Sequence, residues 1–186
     1  MKKILSLAFL LMLSLSIFAQ RQVTKFLGIP VDGSRTAMIQ KLKAKGFRYN
    51  SYVKGLEGKF NGTNVLIYVQ TNKNKVWRII VTYKDSSDKE QIKVQYNRLI
   101  NQFSNNPRYK VLDAEELTDK DDIYHEVNIN KKQYEANFYQ LPADENIKNR
   151  LVWFTIREDP NILQFQKYII GIYYENKYNE PNGDDL

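Results

Sequence analysis

Cysteine is absent from the 186 residues and histidine occurs once. Without thiols there are no disulfides, no thiolate metal ligands and no cysteine nucleophile, so an apolar core must hold the fold. The one histidine, His125, lies between Tyr124 and Glu126 in a stretch that reads as a strand. It would have to serve as the base of any Ser-His-Asp triad. No serine sits in a G-x-S-x-G turn, so His125 reads as a surface residue. No Lys/Arg run exceeds two residues, although the chain carries a formal charge of +7. The basic tract on which nucleic-acid binding relies is therefore missing.

Glycines number eight and prolines five, and they act as punctuation between elements. Gly28 and Gly33, in FLGIPVDGSRTAMIQKLKAKGF, have neither G-x-G-x-x-G spacing nor the lysine and Ser/Thr of a P-loop. They read as a turn and a helix start. The densest acidic run, 113–122, begins a D-x-D calcium pattern at Asp119 and Asp121, but no glycine follows to turn the loop. It reads as a solvated acidic loop or a short helical turn. No metal site and no cofactor is expected.

Only one long apolar run is present, residues 4–18, directly behind Lys2 and Lys3. It falls short of the roughly 20 residues that span a bilayer. With the small Ala19 before Gln20 it reads as a signal peptide, 1–19, and no cysteine follows to carry a lipid. An exported chain, in the periplasm or at the cell surface, keeps no transmembrane segment after cleavage and does not meet nucleic acid. Removing Lys2 and Lys3 leaves 26 basic against 21 acidic residues, or +5, which reads as solubility or as attraction to an anionic surface such as lipopolysaccharide or an acidic glycan. The remainder suffices for one two-lobed domain over 20–178, with repeat units at 24–84 and 86–176 and a polar tail at 179–186.

What is abundant is β pattern. Residues 56–60 and 64–70 meet across Asn61-Gly62, a pair that tolerates the positive φ of a tight hairpin. A looser turn at 72–74 leads into 76–84. The outline recurs as 134–140, 150–157 and 166–176. Two helices are expected. One spans 34–45, capped by Ser34 or Asp32, with Met38, Ile39 and Leu42 on its apolar side and Gly46 at its end. The other spans 87–104, opened by a Ser87/Glu90 capping box, with Ile92, Tyr96, Leu99, Ile100 and Phe103 on one face. A shift of 91 residues places Trp77, Ile79, Val81 and Tyr83 on Tyr168, Ile170, Ile172 and Tyr174. Both sets alternate and so line one sheet face. The fold class is α+β: one antiparallel sheet with two helices packed on one face, an internal duplication of a helix-plus-β-meander unit.

The phrase FLGIPVDGSRTAMIQKLKAKGF, with LEGKFNG and the V-x-R-I-x-V-x-Y strand, resembles the small exported domains of unknown function of Bacteroidetes. That likeness covers 26–109. The duplicated helix-plus-meander is similar in topology to the tandem repeats of β-lactamase-inhibitor proteins and of small outer-membrane assembly lipoproteins. This chain lacks the lipidated cysteine of the lipoproteins and the paired cysteines of the inhibitors. The resemblance implies fold, not role.

Aromatic residues reach 13% of the chain. If the Trp77 stripe faces the helices, the opposite face carries Arg78, Ile80 and Thr82, then Ile169, Gly171 and Tyr173, with Tyr68, Trp153 and Arg157 alongside. Tyr68, Arg78, Trp153, Arg157 and Tyr173 are the candidate binding residues, because aromatic and arginine side chains dominate recognition hot spots. Trp153 and Arg78 are expected to matter for binding and little for folding. The expected function is non-enzymatic: an exported binding or envelope-accessory domain that recognises an envelope protein or glycan through this open face. The alternative is a carboxylate-dependent hydrolase acting on envelope or dietary glycans, which needs two convergent acids in a deep pocket.

Overall fold

The computed structural model describes residues 21–160 and 167–183. The expected signal peptide and the end of the tail lie outside the described residues. A short hairpin, β1 (Lys25–Phe26) and β2 (Ile29–Pro30), precedes helix α1 (Arg35–Ala44). Four strands follow: β3 (Arg48–Asn50), β4 (Gly55–Phe60), β5 (Thr63–Asn72) and β6 (Lys75–Tyr83). Helix α2 (Lys89–Ser104) then leads into β7 (Tyr109–Asp113), β8 (Glu135–Gln140), β9 (Arg150–Glu158) and β10 (Tyr168–Asn176). No described helix is long and apolar enough to cross a membrane.

The main sheet has eight strands in the order β3-β4-β5-β6-β10-β9-β8-β7, each antiparallel to its neighbours. The protein is thus of the α+β class. Each half is a helix followed by a four-stranded meander, and the last strand of one half pairs with the last strand of the other. Val81 stands opposite Ile172 at that seam. These two are the residues that the 91-residue shift makes equivalent. A two-fold axis between antiparallel strands requires such a pair to face each other, so register and sequence echo agree.

Both helices lie on the same face. Met38 and Leu42 of α1 and Ile92, Tyr96, Leu99, Ile100 and Phe103 of α2 join one core with Val65, Ile67, Val81, Phe154 and Ile172. Tyr168, Ile170, Ile172 and Tyr174 are all buried, as alternation predicts. Trp77 is not. Gln70 pairs with Arg78 while Thr71 pairs with Val76, which makes Trp77 the extra residue of a β-bulge. A bulge bends its strand and re-aims a side chain. Val76 occupies the buried position instead, and Trp77 is half-buried.

Two smaller expectations change. Asp88, not Ser87, caps α2, accepting from Glu90 N at 3.1 Å and Gln91 N at 2.8 Å. Ser87 is drawn away by a bridge to Tyr168, and its hydroxyl accepts from Gln95. His125 lies in a π-helical turn, Tyr124–Ile129, rather than a strand, and is exposed there. The Ser34 cap is as expected, its Oγ accepting from Ala37 N at 3.3 Å.

Candidate functional site

On the sheet face away from the helices, alternation places every second residue of β5, β6, β10 and β9 in rows across the strands. One row runs Tyr68, Ile80, Tyr173, Trp153, Asn137. The next runs Gln70, Arg78, Glu175, Leu151. All five candidate residues therefore share this face, with Arg157 at the position beside Ile169.

Four of the five cluster. Trp153 and Tyr173 stack with ring centroids 3.9 Å apart and planes 7° from parallel. The Arg78 guanidinium lies 3.9 Å from the Trp77 ring centroid and 5.4 Å from that of Tyr173. Arg157 lies 5.9 Å from the Tyr173 centroid. Gly171 makes this close gathering possible: a Cβ there would meet the Tyr173 hydroxyl at 3.2 Å and Arg157 Nη2 at 3.3 Å. Tyr68 stands apart, its ring lying over the backbone of Gly55 on the neighbouring strand.

The centre of the cluster is Glu175, which strand alternation made readable but whose role was not foreseen. Its side chain is 1% exposed. It ion-pairs with Arg78, accepts from Trp153 Nε1 at 2.8 Å and pairs with Lys177 Nζ at 2.9 Å. A buried carboxylate survives only when so surrounded, because the desolvation of an unpaired charge is prohibitive. Lys177 is also 2.7 Å from Glu180 Oε1, and its two carboxylate partners hold its pKa above the ordinary value against the opposing effect of burial. Arg78 and Trp153 are accordingly tied to the fold as well as to the surface, contrary to the expectation that they matter little for folding.

Two polar atoms at the rim of the cluster are unsatisfied. Among the described residues, Arg78 Nε has no acceptor and Gln70 Oε1 has no donor, although both are buried and their residues face each other across β5 and β6. Buried polar atoms are rarely left without a partner. Both atoms are closed to solvent, so they bear on how β5 packs beside β6 rather than on the exposed face.

A cavity of about 670 Å³ opens on the other side of the sheet, and no Asp or Glu lines it. A two-carboxylate hydrolytic site has no pair of acids there. Among the described residues no three of His, Asp and Glu gather as metal ligands. Compared with known proteins, the chain matches no family model, no curated protein and no solved structure.

Proposed function

We propose that this protein is an exported, non-enzymatic binding domain of the cell envelope that recognises a glycan through the face formed by Trp77, Arg78, Trp153 and Arg157 over the buried Tyr173. The observation that carries the reading is the fixed Trp153–Tyr173 stack, with Arg78 over Trp77 and Arg157 at its edge. Sugars suit such a face: their C–H surfaces lie on aromatic rings, and their hydroxyl oxygens accept from arginine. Arg157 is exposed at the edge of the stack and adds a preference for acidic sugars. The stack is held in place by Glu175, so little side-chain entropy is lost on binding. An envelope protein is the competing partner. Export itself rests on the signal peptide at 1–19 and predicts a mature amino terminus at Gln20.

Affinity electrophoresis of the full chain through gels containing hyaluronan or dextran tests the partner class. The expected result is retardation by the acidic polymer, weaker at high salt, and lost in Arg157→Ala. Unretarded migration in both gels, with capture of an envelope protein that Trp153→Ala abolishes, assigns the face to protein recognition instead.

A further inference from the structure

A cavity lies on the helix face of the sheet, away from the stack. The cavity there is about 670 Å³, a size typical of small-molecule sites. It is bounded by the β1–β2 turn, the β4–β5 turn and the C-terminal end of α2. Its inner wall includes Phe60, Phe103 and Tyr174, which belong to or pack against the core. Lys25, Lys59 and Arg108 line the same space, and no acid does. All three cations are exposed, and none forms an ion pair among the described residues. The wall is mixed, with Gln22, Asn61, Gln102, Asn106 and Gln140 beside its apolar residues, and three uncompensated positive charges over its apolar part are complementary to an anion that carries an apolar body.

A second observation comes from the β1–β2 turn. Leu27 has φ 51° and is followed by Gly28 at φ 80°, so both central residues of the turn are left-handed. Asparagine or glycine takes the first position readily, whereas a bulky apolar residue is strained there. Leu27 is nonetheless 38% exposed and lines the cavity. Strain kept at an exposed apolar residue points to a contact the unliganded chain does not make.

We propose that this cavity binds a long-chain carboxylate, with the headgroup among Lys25, Lys59 and Arg108 and the chain against Leu27, Phe60 and Phe103. Calorimetric titration of the full chain with octanoate, decanoate and decan-1-ol, below their aggregation limits, tests it. Decanoate should bind saturably and roughly tenfold tighter than the alcohol, the value of hydrogen bonds to a charged group. Each added methylene should tighten binding up to about fourfold if it is buried. Arg108→Gln and Lys59→Gln should each weaken decanoate several-fold with an unchanged melting temperature, whereas Leu27→Asn should weaken it while melting no lower than the parent. The cations could instead serve only the negative C-terminal end of α2. In that case Arg108→Gln lowers stability and leaves decanoate affinity alone, and the proposal fails. Equal affinity for acid and alcohol, or affinity independent of chain length, overturns it as well.

Discussion

The indole of Trp153 lies flat on the phenol ring of Tyr173 and, from the same position, donates its Nε1–H to Glu175 at 2.8 Å. One side chain thus covers an aromatic ring and satisfies part of a buried carboxylate. An aromatic pair adds about 0.5–1.5 kcal/mol beyond its burial, and a hydrogen bond to a charged group about 1.5–3 kcal/mol. Trp153→Phe keeps a ring on Tyr173 but removes the donor, so it should cost about 1–2 kcal/mol in urea unfolding. Trp153→Ala removes both and should cost visibly more. If the two variants unfold at the same midpoint, the stack contributes nothing and the hydrogen bond is the whole effect.

Arg78 and Glu175 should prove energetically coupled. Breaking a fully buried ion pair costs about 3–5 kcal/mol because one charge is left without its partner. Arg78 is 22% exposed and Lys177 remains on Glu175, so Arg78→Ala should cost less, about 1–3 kcal/mol. Glu175→Gln in the Arg78→Ala background should return part of that loss. A double-mutant cycle measures it directly, and additive effects would mean that the pair is not coupled.

Leu99 tests the α2 core face. It is 2% exposed between the helix and the sheet, and Leu99→Ala should lose about 2–5 kcal/mol through transfer and cavity contributions. Gln91, exposed on the opposite side of α2, should lose under about 0.5 kcal/mol when replaced by alanine. Lys93 is unsuitable as that control: it is 8% exposed and its Nζ contacts Glu90 at 3.2 Å and the Asp121 carbonyl at 3.3 Å. Similar unfolding midpoints for the Leu99 and Gln91 variants would refute the assigned face.

Alternation and helical spacing revealed β5, β6, β9, β10 and α2 because each buries one regular face, and burial is what writes a period into sequence. Strand β7 left no such mark. It is one of the two edge strands, Val111 and Leu112 are 44% and 51% exposed, and its pairing supplies hydrogen bonds rather than a buried stripe. The bulge at Trp77 was equally silent, since an extra residue in a ladder changes side-chain direction without changing local composition. The shared face of Arg78, Tyr173 and Trp153 was legible from strand period alone. Their convergence on Glu175 was not, because it depends on how β6, β10 and β9 stand side by side. The cavity draws on residues from 22 to 174, so no local pattern could announce it.

The buried tyrosines make stability sensitive to alkali. Burial pushes the phenols of Tyr134 and Tyr168 up from 10.0 to about 12, and those of Tyr96 and Tyr174 upward as well. Between the two values the unfolded chain gives up protons that the native chain retains, which favours unfolding. The contribution is fully present below about pH 10 and is lost as pH rises toward and through about 12. The melting temperature should therefore stay level from neutral pH to about 10 and then fall steeply. Phenolate absorbance from the buried rings should appear together with loss of the fold rather than before it. Tyr168→Phe separates the contributions: it forgoes the 2.8 Å hydrogen bond to Asn128 Oδ1, lowering stability at neutral pH, yet it should flatten the alkaline fall. If all 13 tyrosines ionise near 10 while the native circular dichroism persists, the phenols are hydrated and the core assignment of these rings is wrong.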